Sequence, residues 1–327
     1  MKKKAEDEVV SWLQRLLRHS GGALIGDDAA VLPGSDLALT TDTQIEGTHF
    51  VSSLDPRVLA RRLLAVNLSD LAAMGAKPRY ALLALAAPPS FDHRRFFKSM
   101  EASVRREGVL LVGGDLAKSP YVHACMTLIG ERQNRWIERS GARPGHVLWL
   151  GGTVGESAAG AALMARGANL VGTKVHLPEG FSELPKRLRS AAKKAVRRHL
   201  LPQPQLELGH FLSTCQEGAA LDVSDGVARD LHRLCLASGV GAELRIEDLP
   251  APKSFRKLCR QLDRRAVELQ LGGGEDYVLL FTLPESVTPP PECHPVGRIL
   301  DGKDIVGHLE GKRSPLPPSG WDHLTDS

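Results

Sequence analysis

Aromatic residues make up only 5% of the 327 residues, and no apolar run approaches the ~20 residues that a membrane-spanning helix requires. A membrane protein is therefore not expected. The five cysteines, Cys125, Cys215, Cys235, Cys259 and Cys293, form neither a CxxC pair nor a closely spaced even set. That argues against a disulfide framework and a thiolate zinc site, and for free thiols in a reducing compartment. Walker A, kinase glycine-loop and GxGxxG spacings are all missing, and LGGGED fits none of them. No internal period is visible, which excludes a solenoid. The opening MKKKAEDEVV lacks the apolar segment of a signal peptide, so a cytoplasmic location is expected.

The net charge of +4 is mild and the basic residues are scattered, so no nucleic-acid partner is expected. The exception is Lys186 to His199, where Lys186, Arg187, Arg189, Lys193, Lys194, Arg197 and Arg198 would cover much of a helix. That face is either plainly solvated or a basic rim that attracts anionic substrates.

Carboxylates stand out by where they sit. Asp27 and Asp28 lie in IGDDAAVL, Asp42 in LTTDT, Asp70 in AVNLSDLAAMGA, Asp115 in LVGGDLA, and Asp222 and Asp225 in LDVSDG. Each is flanked by glycine, small residues or an apolar run, which implies partial burial. Clustered, partly buried anions need protons or cations to neutralise them. Oxygen ligands without His or Cys favour Mg²⁺ over zinc, and Mg²⁺ in such a setting usually accompanies a polyphosphate.

Length suggests two domains, at roughly 100–200 residues each. Val9, Trp12, Leu13, Leu16 and Leu17 repeat at helical spacing. A strand over 37–41, a helix over 57–74 stopped by Gly75 and Pro78, a strand over 80–87, a helix over 91–107 and strands over 109–112 and 122–129 follow. This alternation is of α/β type. A boundary is expected near 140–145, dividing the chain into 1–142 and 143–327. The second half reads as a strand, a small-residue helix in GESAAGAALMARG, a weakly patterned stretch over 168–185, further helices, a strand into LDVSDG, a helix over 227–237, and the strands ELRIEDL and YVLLFTL.

Taken singly, the acidic motifs are ambiguous. GDDAAVL is equally a turn whose aspartates cap backbone N–H groups. LTTDT suits a hard cation through Thr40, Thr41 and Asp42, but a helix N-cap uses the same letters. LVGGD lets backbone N–H groups approach a phosphate, or makes a tight turn. In LDVSDG, Asp225 is either a ligand or a helix cap. Asp70, three positions after Asn67 on an otherwise apolar helix, is the hardest to accommodate without a partner.

The strings IGDDAAVL, LTTDTQIEGTHF, AVNLSDLAAMGAKP, LVGGDLAKSP, RSGARPGHVLWLGGTVGESAAGAAL, LDVSDGVARDL and LGGGEDYVLLF, in this order, resemble the thiamine-monophosphate kinase family of the aminoimidazole ribonucleotide synthetase-like superfamily. The similarity runs from about Gly26 to Trp321. It implies a two-domain α/β (α+β) fold: an N-terminal ATP/Mg-binding domain whose mixed sheet pairs in a homodimer, and a C-terminal α/β domain that closes the site. It further implies ATP as co-substrate, thiamine phosphate as acceptor and several Mg²⁺ ions, with K⁺ a further candidate. Asp28, Thr40, Thr41, Asp42, Asp70, Asp115, Asp222 and Asp225 fall on the family's metal positions, with Asp27 adjacent. Gly114, Asp115, Arg139 and Ser224 fall on ATP-contacting positions, and His49, Glu275 and Trp321 on acceptor-contacting ones. No catalytic side chain is implied, because metal and positioning carry the transfer. Two departures stand out: the family often has an apolar residue at Gln44, and 168–189 matches little. The alternatives are another ATP-dependent enzyme of the superfamily or a non-catalytic Mg-nucleotide binding protein.

Overall fold

The computed structural model describes residues 5–322 and 324. The first half is built on α1 (Ala5–Leu16), β1 (Ala30–Val31), β2 (Leu37–Ile45), α2 (Pro56–Ala73), β3 (Ala76–Ala87), α3 (His93–Arg106), β4 (Leu110–Lys118) and β5 (His123–Arg132). Its strands form one sheet in the order β1-β2-β5-β3-β4, antiparallel except for the parallel pair β3–β4.

Helix α2 is the centrepiece of this half. The Asp55 side chain accepts the Arg57 N–H, Pro56 takes the first turn where no donor is needed, and Gly75 ends the helix at φ 67. Both its faces are covered: β2 and β5 on one side, α3, α6 and β9 on others. Even Arg62, Asn67 and Ser69 are therefore buried.

The second half contains β6 (Val147–Leu150), α4 (Glu156–Met164), β7 (Asn169–Val171), β8 (Lys174–His176), α5 (Lys186–Leu200), α6 (Leu206–Thr214), β9 (Ala220–Asp222), α7 (Val227–Ser238), β10 (Gly241–Arg245), α8 (Phe255–Gln261), α9 (Ala266–Gly272), β11 (Leu279–Leu283), β12 (His294–Leu300), β13 (Ile305–Leu309) and β14 (Lys312–Pro315). Its large sheet runs β14-β13-β10-β12-β6-β11-β9, antiparallel apart from β10–β13. The two sheets meet through α2 and α6. At Gly209 of α6 a Cβ would sit 2.1 Å from the Ala72 carbonyl oxygen, so only glycine permits this approach.

Three sequence expectations change. The strand expected over 109–112 continues through Gly113, Gly114 and Asp115, because Gly114 at φ 154 lets the edge strand press on Leu83, where a Cβ would meet the carbonyl oxygen at 1.8 Å. The weakly patterned 168–185 contains the β7–β8 hairpin, anchored by buried Leu170, Val175 and Phe181. The stripe on α1 leaves Val9, Trp12 and Leu16 exposed; the helix is fastened by ions, with Glu6 and Asp7 pairing Arg229 and Asp7 pairing Arg233.

Candidate active site

Three of the seven singled-out aspartates converge. Carboxylate oxygens of Asp28, Asp70 and Asp222 all lie within 4.8 Å of one another, although they come from the loop before β1, the end of α2 and the end of β9. Asp70 accepts a 2.6 Å hydrogen bond from Thr40 Oγ1 on β2. Asp42 stands next to them, its backbone N–H donating to Asn67 Oδ1 at 3.0 Å, while Asn67 Nδ2 is tied to the Leu63 carbonyl.

Burial, then the charges of Asp42, Asp222 and Asp28, raise the Asp70 pKa well above the ordinary carboxylate range, with only the Thr40 hydroxyl opposing. Asp222 is raised likewise, by burial and then by Asp28, with the Ser69 hydroxyl as the chief counterweight. Its Oδ2 is buried without a well-formed hydrogen bond. An all-oxygen donor set, mutually repelling carboxylates and an orphaned buried oxygen together fit a hard divalent cation such as Mg²⁺.

Asp27 and Arg139 frame this cluster. Asp27 accepts the Arg139 backbone N–H at 2.7 Å, and burial pushes its pKa up to about 6. The Arg139 guanidinium meets Asp28 Oδ1 at 2.8 Å and the Gly26 carbonyl at 3.0 Å, so it is a bridge between the GDD loop and the turn Arg139–Gly141. Asp225 does not join the cluster in this arrangement: Arg233 holds it at 2.6 Å and Arg229 at 3.5 Å. Nor does it cap α7. Asp230 accepts the N–H groups of Asp225 and Gly226, each at 3.1 Å, because it lies one helical turn on and faces back toward the helix start. Burial raises the pKa of Asp230 to about 7.

Thr41 bonds to the Met126 carbonyl and Thr127 Oγ1, on the opposite side of β2 from Thr40. Gly114 and Asp115 lie on the exposed edge strand, where Asp115 is in register with Ala84 and, across the sheet, with Cys125 and Thr43. They are outside the carboxylate cluster in a single chain.

The segment 224–225 gathers the remaining positions. The Ser224 carbonyl accepts the Glu275 N–H at 2.7 Å, and the Asp225 carbonyl accepts the Trp321 N–H at 3.0 Å, which docks the Pro-rich tail here. Glu275 and Tyr277 both have left-handed backbones, at φ 55 and φ 50. Such strain in non-glycine residues persists only where the surroundings impose it. Burial would raise the Glu275 pKa, yet Arg62, His199 and His49 bring it down to about 2. His49 thus lies close to Glu275, and its Nδ1 accepts the Ile45 N–H at 3.1 Å. Nothing in the RRLL run that contains Arg62 signals a buried charge. Gln44, odd in sequence, has a partner here: its Oε1 accepts from Arg62 Nε at 2.8 Å.

Residues 26–131 match the family described as AIR synthase related protein, N-terminal domain. A thiamine-monophosphate kinase of Aquifex aeolicus is 31% identical over 92% of this chain and 93% of its own. Another, of Salmonella typhimurium, is 36% identical over 80% of this chain and 76% of its own. Among solved structures, one described as AaThiL complexed with AMPPCP and TMP superposes with a TM-score of 0.83 at 29% identity, covering 98% of this chain and 97% of that one. With identities above 30% across most of both chains and the whole fold in common, this chain belongs to the thiamine-monophosphate kinase family.

Proposed function

We propose that this protein transfers the γ-phosphoryl group of ATP to thiamine phosphate, giving thiamine diphosphate and ADP by direct in-line attack. The observation that supports it most is the convergence of Asp28, Asp70 and Asp222, drawn from both halves of a family member. Relatives at this identity are thiamine-monophosphate kinases, and a closely superposing structure holds AMPPCP and TMP.

A phosphate monoester has a second pKa near ~6, so the attacking oxygen is already mostly ionised at neutral pH. No general base is needed. The obstacle is repulsion between two phosphates, and bound Mg²⁺ supplies the charge that offsets it. Asp28, Asp70 and Asp222 would hold that metal, with Asp42 and the Thr40 hydroxyl beside them. Arg139 keeps Asp28 in place and adds a positive charge close to where a nucleotide phosphate would come. Glu275 and His49 face the acceptor: the carboxylate accepts from an amino group, and the imidazole lies near the acceptor phosphate. Trp321, 43% exposed on the docked tail, offers a flat surface for a cationic ring.

Mixing protein, thiamine phosphate, ATP and Mg²⁺ and following mass tests this. Thiamine diphosphate formed in step with ADP is the expected product. Nucleotide bound tightly with no acceptor-dependent ADP release would favour a non-catalytic binding protein, and a phospho-enzyme formed from ATP alone would refute direct transfer.

A homodimer belongs to the same reading. The outer face of β3 and β4 exposes Tyr80, Leu82 and, in register with Tyr80, Leu110, at 42%, 42% and 61%. An unpaired edge strand with such a face invites a second copy. Pairing there would bring Gly114 and Asp115 of each chain under cover. Leu110→Lys should convert a dimer to a monomer in light scattering; a wild-type protein that is monomeric at high concentration would defeat the proposal.

A further inference from the structure

Arg62 is fully buried in the middle of α2, yet its guanidinium reaches three separate segments. Nε donates to Gln44 Oε1 of β2 at 2.8 Å. One terminal nitrogen donates to the His199 carbonyl near the end of α5, and the other to Glu275 Oε1. The second Glu275 oxygen, Oε2, meets His199 Nδ1 at 3.2 Å, and that nitrogen is also 3.2 Å from Ser157 Oγ of α4. Gln44 and Arg62 belong to the first half of the chain, His199 and Glu275 to the second.

Both Glu275 oxygens are thus gripped from the protein side, while the side chain keeps 29% of its surface open. A carboxylate oxygen accepts two hydrogen bonds, so the grip leaves outward lone pairs free. With two cationic or donor groups behind it, Glu275 stays ionised and can only accept. Its left-handed backbone adds a second constraint on direction.

We propose that Gln44, Arg62 and His199 are positioning residues that aim Glu275 at the acceptor substrate and so select acceptors carrying an amino donor. The proposal rests on Glu275 contacting the acceptor, as read above. Gln44 touches no substrate in this scheme; it fixes the plane of the Arg62 fork, and the fork fixes Glu275. A site built to pair with a substrate N–H rejects analogues that lack it, because the outward lone pair of its acceptor is then left unpaired.

The test is steady-state kinetics with ATP and thiamine phosphate on Gln44→Leu, His199→Gln, Glu275→Gln and the Gln44→Leu/Glu275→Gln double variant. Gln44→Leu and His199→Gln should each raise KM for thiamine phosphate about tenfold, the weight of one hydrogen bond to a charged group. KM for ATP should stay within about twofold, a split that general loosening of the fold would not give. In the Glu275→Gln background, Gln44→Leu should add nothing, since its effect runs through Glu275. If Glu275→Gln raises the acceptor KM but Gln44→Leu and His199→Gln do not, or if their effects add to it, the positioning role is wrong and the Glu275 reading survives. If Glu275→Gln itself leaves that KM unchanged, the Glu275 reading fails first. Melting curves check folding, and should His199→Gln not fold, Gln44→Leu alone decides.

Discussion

Asp70→Asn is expected to lower kcat for thiamine diphosphate formation on the order of 10³-fold while raising the melting temperature of the metal-free protein. The two effects have one origin. Burial and three neighbouring carboxylates disfavour the charge on Asp70, so removing it relieves the fold. The same charge is what the cluster would offer a cation on the proposed reading, and losing one such electrostatic contact at a reacting phosphate typically removes about 3–4 kcal/mol of barrier lowering. Thr40 Oγ1 still has an acceptor in the amide oxygen, so the local hydrogen bond survives. Each 1 kcal/mol regained should appear as roughly 2–4 °C in differential scanning calorimetry. A variant that loses activity and also melts lower would mean that Asp70 is there to hold the fold.

The second large effect is a pH-dependent response to magnesium. Asp70 and Asp222 have folded pKa values above the unfolded reference of 3.8. The folded state therefore binds their protons more tightly. Their contribution to stability is complete below about pH 4 and drains away as pH rises through the folded values. Asp27, Asp230 and Asp276 act in the same direction, with pKa values of about 6, 7 and 7. Stability of the metal-free protein should fall between about pH 4 and pH 7 as a result. On the proposed reading magnesium would replace the missing protons at Asp70 and Asp222, so its stabilisation should grow with pH. At 100 times its dissociation constant it would contribute about 2.7 kcal/mol, or roughly 5–10 °C. Asp276 accepts the Gly155 and Ser157 N–H groups at the start of α4, and its share should not respond to the metal. A magnesium shift equal at about pH 5.5 and pH 8 would contradict the assignment of these carboxylates to a cation.

Asp28, Asp70 and Asp222 were legible one by one, because a carboxylate set among small and apolar neighbours has to be neutralised by a proton, a cation or a basic side chain. Their company was not. LDVSDG looks the same whether Asp225 faces a metal or an arginine, and here Arg229 and Arg233, four and eight residues on, take it. LVGGD reads as a phosphate-approaching loop or a tight turn, and the approach of Leu83 to Gly114 makes it an edge strand instead.

Local chemistry determined the elements. The Asp55–Pro56 start and Gly75 stop of α2, the alternation of β2 and the glycine-rich breaks are all written in short-range sequence, as are the excess of buried acid and the kinship that the motifs carry. Arg62 and Gln44, by contrast, carry no local signal: Arg62 sits in an RRLL run, and Gln44 lies beyond the strand expected over 37–41. Only when α2 is covered on both sides, by its own sheet and by the second half of the chain, does Arg62 lose water and gain Glu275 and His199. Burial and pairing depend on segments up to 213 residues apart, and no window of sequence holds that separation.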